Sequence, residues 1–239
     1  MELPPLTREQ VRHVDQAAIE NYGMMGLVLM ENAGKGATDL INQLAADGPT
    51  LILCGPGNNG GDGYVIARHL QLAGRDAKVL SLVDPNVLRG DALINAKIAR
   101  HADIEIQVAS NKADIEQAMN GSVCLVDALL GTGATGDLRP LYAQCVQVAN
   151  DYQPGFPVVR FAIDLPTGLD CDTGHASSPT FRADHTLTFV ARKIGFTKNN
   201  ADEFTGVVHE IGIGVPKRLL QSLVESQLGD SAAKGSCDD

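Results

Sequence analysis

The chain has 239 residues, enough for one sizeable α/β domain and short for two. Its hydrophobic fraction is an ordinary 44%, while aromatics at 4% and the absence of tryptophan point to an aliphatic core. A formal net charge of −10, with no basic patch, excludes a phosphate-tracking nucleic-acid groove, so any phosphate ligand must rely on backbone N–H groups and helix ends.

In chain order, Thr7 followed three residues later by Gln10 reads as a capping box, and Val11, Val14 and Ala18 then recur at helical spacing. The leading stretch "MELPPLTREQ" has neither an apolar signal core nor an Arg/Ser-rich amphipathic pattern, and no apolar run approaches a membrane span. A cytoplasmic protein with no membrane partner is expected. A second helix is predicted over "VLMENAGKGATDLINQLA", with Leu29, Ala33, Ala37, Leu40 and Ile41 on one face.

From residue 50 the chain alternates. Strands are predicted at 50–54, 77–83, 104–108, 122–131 and 157–164, separated by helices at "YVIARHLQLAG", 91–101, "KADIEQAM" and 140–151. Residues 184–190 and 206–214 are expected to add edge strands, and "VPKRLLQSLVESQL" a closing helix. Apolar strands alternating with helices argue for α/β architecture, a mostly parallel sheet covered on both faces. No linker divides the chain, so a single domain over 1–226 is expected, followed by a polar, disordered tail at 227–239. The five cysteines, Cys54, Cys124, Cys145, Cys171 and Cys237, are odd in number and lack C-x-x-C spacing, which fits free buried thiols in a reducing compartment.

Loops leaving parallel strands at their C-terminal ends share one rim, where ligands bind. Three such loops are rich in glycine and oxygen: "GPGNNGGDG" (55–63), "DALLGTGATGD" (127–137) and "DLPTGLDCDTG" (164–174). Gly55, Gly57 and Gly60 match G-x-G-x-x-G, as do Gly131, Gly133 and Gly136. Taken alone, either match reads equally as a phosphate cradle or as a tight turn. No acidic residue is well placed after the second strand to hold a ribose, since Asp76 precedes that strand and Asp84 follows it late. That weighs against a dehydrogenase. Asn59, Asp127, Asp164 and Thr167 each offer a hard oxygen at the rim, suited to a monovalent or divalent cation, to sugar hydroxyls, or to Asx turns and caps.

The stretches "LMENAG" (29–34), "GPGNNGGDG", "VDALLGTG" (126–133), "AIDLPTG" (162–168) and "ADHTLTFVARKIG" (183–195) together resemble the NAD(P)H-hydrate epimerase family, the domain at the N-terminus of YjeF-type proteins. The resemblance covers most of residues 8–215. It implies a Rossmann-like three-layer α/β/α domain that interconverts the R and S forms of hydrated NADH and NADPH, NADHX and NADPHX. It places substrate binding on Asn58, Asn59, Gly60, Gly61 and Asp62, on Gly131, Thr132, Gly133, Ala134, Thr135, Gly136 and Asp137, and on Asp164. Potassium ligands fall on Asn59, Asp127 and Thr167, where the family usually has serine at the last position. Asp164 is the expected proton-transfer group, with hydroxyl binding or turn capping as its other role. Lys193 is a second catalytic candidate, for proton transfer or a phosphate, against the ordinary fate of a solvated lysine. His175 and His185 are assigned no role. The resemblance also implies a homodimer, with residues 6–23 as a contact, and an NAD(P)HX dehydratase partner on a separate chain. The alternative is a non-catalytic binding or scaffold module, but this chain keeps the rim oxygens that such a module can lose.

Overall fold

The computed structural model describes residues 3–222. Helix α1 (Arg8–Tyr22) starts in the expected capping box, with Thr7 and Gln10 satisfying each other's backbone N–H groups. It ends at Gly23, whose φ of 66° is the left-handed C-cap conformation that glycine adopts without a Cβ penalty. Helix α2 (Gly26–Leu44) follows, and buries Leu29, Ala33, Ala37 and Ile41 on the predicted face.

The alternating part then gives β1 (Thr50–Cys54), α3 (Asn58–Leu72), β2 (Ala77–Ser81), α4 (Gly90–His101), β3 (Glu105–Val108) and α5 (Lys112–Met119). After these come β4 (Cys124–Ala128), α6 (Pro140–Asp151), β5 (Val159–Ile163), β6 (His185–Phe189), the short α7 (Asp202–Thr205) and β7 (Val207–Ile211). All seven strands pair in parallel, in the order β3-β2-β1-β4-β5-β6-β7. Of the two late strands expected at the edge, only β7 lies there; β6 is interior, paired with β5 and β7. Residues 217–222 are helical, while the rest of the expected closing helix, the tail at 227–239 and Cys237 lie outside the described residues.

Strand alternation divides the core between two faces. Ile52, Cys54, Val126 and Phe161 pack with α1, α2 and α3, whereas Leu51, Leu53, Leu125 and Ala162 pack with Ile115 of α5 and Cys145 and Val146 of α6. Burial on both faces explains why the strands read as continuous apolar runs. Cys54, Cys124, Cys145 and Cys171 are buried free thiols. Among the described residues no helix is long and apolar enough to cross a membrane.

Between β1 and β4 the strand order reverses. Such a switch point opens a crevice at the C-terminal strand ends, because the two following loops diverge to opposite faces. One further contact matters for the site. Leu6, just before α1, forms a parallel bridge with Lys193: its N–H donates to the Arg192 carbonyl at 2.8 Å and its own carbonyl accepts from Ile194 N–H at 2.9 Å. That bridge ties the start of α1 to the segment after β6.

A candidate active site at the switch point

A cavity of about 480 Å³ opens at the crevice. Its walls include Asn58, Asn59 and Asp62 of α3, Gly131 to Ala134 after β4, Asp164 after β5, Val190 after β6, and Asp15 of α1. The three oxygen-rich loops expected to share a rim therefore do meet.

The glycine loop owes its composition to close backbone approach. A Cβ on Gly55 would lie 1.8 Å from the Leu129 carbonyl oxygen, and one on Gly60 would lie 2.1 Å from the Gly55 carbonyl oxygen. Each glycine is thus required by backbone that cannot yield. The loop delivers the N-terminus of α3, which starts at Asn58, to the cavity wall. Free N–H groups and the helix dipole make that end attractive to an anion.

Beneath the cavity floor lies a polar knot. Asp127 is fully buried on the α6 face, in register with Leu53. Its carboxylate accepts from Thr167 N–H and Thr167 Oγ1–H, both at 2.8 Å, and from Leu129 N–H at 3.1 Å. Burial pushes its pKa up to about 6 against the pull of those bonds. The Thr167 hydroxyl also accepts from Leu130 N–H at 3.1 Å, so Thr167 clamps the loops after β4 and β5 together. Asn59 is different. Its side-chain oxygen and nitrogen are both buried without a hydrogen-bond partner, in van der Waals range of Gly131, whose added Cβ would sit 3.3 Å from the Asn59 Cβ. A buried amide with neither group satisfied is costly unless something else binds it. The donor set of amide, carboxylate and hydroxyl oxygens fits a hard cation. Among the described residues no group of three His, Cys, Asp or Glu side chains is gathered for a softer metal.

Asp164 sits at the end of β5 with φ of 66°, in a three-residue turn closed by Leu165 N–H to the Ile163 carbonyl at 2.9 Å. Val190 repeats the device after β6, with φ of 69° and Ala191 N–H bonded to the Phe189 carbonyl at 2.8 Å. Positive φ is an outlier for a β-branched residue, and turns of this hand are strained. Both residues line the cavity. The Asp164 side chain is fixed on two sides: Oδ2 accepts from Thr132 N–H at 3.2 Å, and Oδ1 lies 2.8 Å from the Lys193 ammonium.

Lys193 is fully buried. Its three ammonium protons are claimed by Thr188 Oγ1 at 2.9 Å and the carbonyls of Phe189 at 2.9 Å and Ala191 at 3.2 Å. The Asp164 contact is therefore one of charge rather than a fourth aligned hydrogen bond. The solvated-lysine reading is wrong, and so is phosphate binding, because the ammonium lies behind Asp164 and faces no solvent. Backbone carbonyls have captured it.

The expected substrate-loop residues fall into two groups. Gly131 to Ala134 line this cavity, while Ala134 to Asp137 line a neighbour of about 590 Å³ with Arg139, Tyr142 and His175. Pro56, Leu130 and Ala134 border both. Gly60 and Gly61 contribute backbone geometry and do not line either cavity. His185 lies at the N-terminal end of β6, paired with His209 at 3.2 Å and stacked on Phe161, away from the rim. Asp84 caps the turn after β2 through Asn86 N–H, so it carries local structure there. The sequence reading missed Asp15 and Val190.

Strand order, crevice and rim chemistry define a Rossmann-like α/β domain with an oxygen-lined cavity at its switch point. The model of the family described as YjeF-related protein N-terminus matches residues 26–195, and the chain belongs to that family. It is 51% identical to the NAD(P)H-hydrate epimerase of Rhodopirellula baltica, covering 92% of this chain and 88% of that protein. It is 43% identical to the protein of the same name from Pirellula staleyi, covering 90% and 95%. A bifunctional NAD(P)H-hydrate repair enzyme of Thermanaerovibrio acidaminovorans is 39% identical over 89% of this chain, which matches only 41% of that longer protein. The crystal structure of yeast ynu0 shares the fold, with a TM-score of 0.77 at 20% identity over 92% of this chain and 93% of that one.

Proposed function

We propose that the chain is an epimerase that inverts C6 of hydrated nicotinamide cofactors, interconverting R- and S-NADHX and R- and S-NADPHX. The observation that carries this is the convergence of the α3 N-terminus, the loop after β4 and the fixed carboxylate of Asp164 in one cavity. The names of the two relatives most similar among those above support the same reaction. The α3 N-terminus suits the diphosphate, and Asp164 suits the hydroxylated ring. The dinucleotide would cross Pro56 and Ala134 into the second cavity, which gives Thr135, Gly136 and Asp137 their place as binding residues. Lys193 is a positioning residue that fixes Asp164 and balances its charge.

The test couples two activities. R-NADHX is mixed with an S-specific dehydratase, with and without this protein, and the R form is followed. Consumption of the R form only in the presence of the protein is expected; equal persistence in both mixtures overturns the reading. In the cell, that dehydratase would be a separate chain.

Asn59, Asp127 and Thr167 would hold potassium, whose charge would balance Asp127 and brace the loops. The orphaned Asn59 amide is the support for this. Melting should therefore occur at a higher temperature in potassium than in sodium buffer at equal ionic strength, following the linkage between binding and stability. Asn59→Ala should abolish the difference, and identical melting of the unaltered protein in both salts counts against the ion.

A homodimer is also proposed. Ile19, Tyr22, Met25 and Val28 are 42–65% exposed around the junction of α1 and α2, an apolar surface that a second copy would cover. Sedimentation equilibrium is expected to give twice the chain mass, and Met25→Glu to return the monomer.

A further inference from the structure

A second carboxyl enters the cavity from a different element. Of the acidic residues of α1 (Glu9, Asp15 and Glu20), Asp15 is the one that lines it. Val11, Val14 and Ala18 seat α1 on the core, and the Leu6 bridge fastens the start of the helix to Lys193, the residue that holds Asp164. Arg8 adds a second clamp, pairing with Asp170 at 2.8 Å in the loop after β5. The helix carrying Asp15 is thus fixed to the Lys193 segment that holds Asp164 and to the loop after β5 that follows Asp164. Helix α1 lies before the residues matched by the family model.

We propose that Asp15 is a second proton-transfer group for the epimerisation, paired with Asp164 about the hydrated ring, an inference that rests on the function proposed above. Inversion through a planar carbon needs a proton delivered as one oxygen leaves and another removed as its replacement arrives. Asp15 gives its proton to the C6 hydroxyl; the C6–O bond breaks, water departs, and the ring-nitrogen lone pair forms the C6=N1 iminium. A second water adds to the other face of C6, the π electrons return to nitrogen, and the released proton goes to the Asp164 carboxylate. The opposite direction uses the same atoms with the roles exchanged: the pair carries one proton before and after each inversion, both carboxylates are ionised beside the iminium cation, and solvent exchange resets the pair.

The electrostatics agree with that division. Burial, and then the Asp164 carboxylate, raise Asp15 to about 6 against the opposing pull of Lys193. Asp62 of α3 is pushed well above the usual carboxylate range by burial and then by Asp164 and Asp15, which favours its protonated form. Arg12 of α1 and Asp91 of α4 are the other charged groups on the wall. Since Asp15 holds its proton below about pH 6, the form with one proton on the pair is lost as pH rises through that region.

The experiment follows NADHX inversion in H₂¹⁸O with the unaltered protein, Asp15→Asn and Asp15→Glu. The unaltered protein is expected to place one ¹⁸O at C6 per inversion, and its kcat/KM to fall as pH rises above about 6. Asp15→Asn should lose about 10²–10⁴-fold in kcat, equally in both directions, with KM changed only a few-fold and the pH limb gone. Asp15→Glu should recover part of the rate. Inversion without ¹⁸O incorporation overturns the proposal, as does Asp15→Asn with unaltered kcat and the same pH limb. Should the asparagine variant fail to fold, the isotope and pH results of the unaltered protein decide. A protein that never inverts NADHX would sink the proposed function itself, whereas one that inverts it without Asp15 would sink only this step.

Discussion

Asp164→Asn is expected to lower kcat for C6 inversion by about 10²–10⁴-fold, the usual worth of a positioned proton-transfer group. The substitution keeps the shape of the side chain and removes its ability to take a proton. It also has a cost at rest. Oδ2 accepts from Thr132 N–H and Oδ1 faces the Lys193 ammonium as its charge partner, so both carboxylate oxygens face positive hydrogen-bearing groups. An amide has one acceptor, and whichever way it turns, its NH₂ group faces either the Thr132 N–H or the ammonium. That mismatch is worth about 1–3 kcal/mol of stability. Rate and stability therefore have to be read separately. Melting should fall by a few degrees while dinucleotide binding persists, and the rate loss should exceed anything the melting shift explains. Full turnover by the asparagine variant would remove Asp164 from the chemistry and leave it as a binding residue.

The fold was legible because each element carries its own boundary. The run at 50–54 ends in Gly55 and forms β1 as read, and Pro140 opens α6 where Pro is tolerated at the first helical position. The loops after β1, β4 and β5 were legible as a site because their oxygens sit at equivalent strand ends, and parallel topology gathers such ends. What stayed hidden depends on contacts between distant segments. Asp15 follows Val14 on an ordinary amphipathic helix, where an acid looks like part of the solvent face; the Leu6–Lys193 bridge and the Arg8–Asp170 pair, both long-range, fasten that helix at the rim. The fate of Lys193 was hidden for another reason. Two of its three hydrogen-bond acceptors are backbone carbonyls, which leave no trace in residue type. Val190 favours strand by its β-branching, yet the turn after β6 holds it at positive φ, a choice made by packing and by its N–H bond to the Ile211 carbonyl.

Lys193→Met tests the support behind the cavity. Methionine is close in length and fills the same buried volume, so the packing change is small and the loss is electrostatic. Three acceptors, Thr188 Oγ1 and the carbonyls of Phe189 and Ala191, lose their donor, and the Asp164 carboxylate loses the one cation in contact with it among the described residues. Breaking a buried pair by removing one partner costs about 3–5 kcal/mol, because the remaining charge is left uncompensated. For a chain of this length each kcal/mol moves the melting midpoint by about 2–4 °C, so a fall of roughly 6–20 °C is expected. The sign separates two roles. A lysine that donated a proton to substrate without supporting Asp164 would lose rate, and removing Asp164 as well would then recover no stability. A lysine that holds Asp164 loses both rate and stability, and the double variant Lys193→Met with Asp164→Asn should recover part of the stability of the single lysine variant, because the uncompensated charge is then gone. A double variant no more stable than Lys193→Met alone would mean that the carbonyl contacts, and not the charge pair, are what Lys193 contributes.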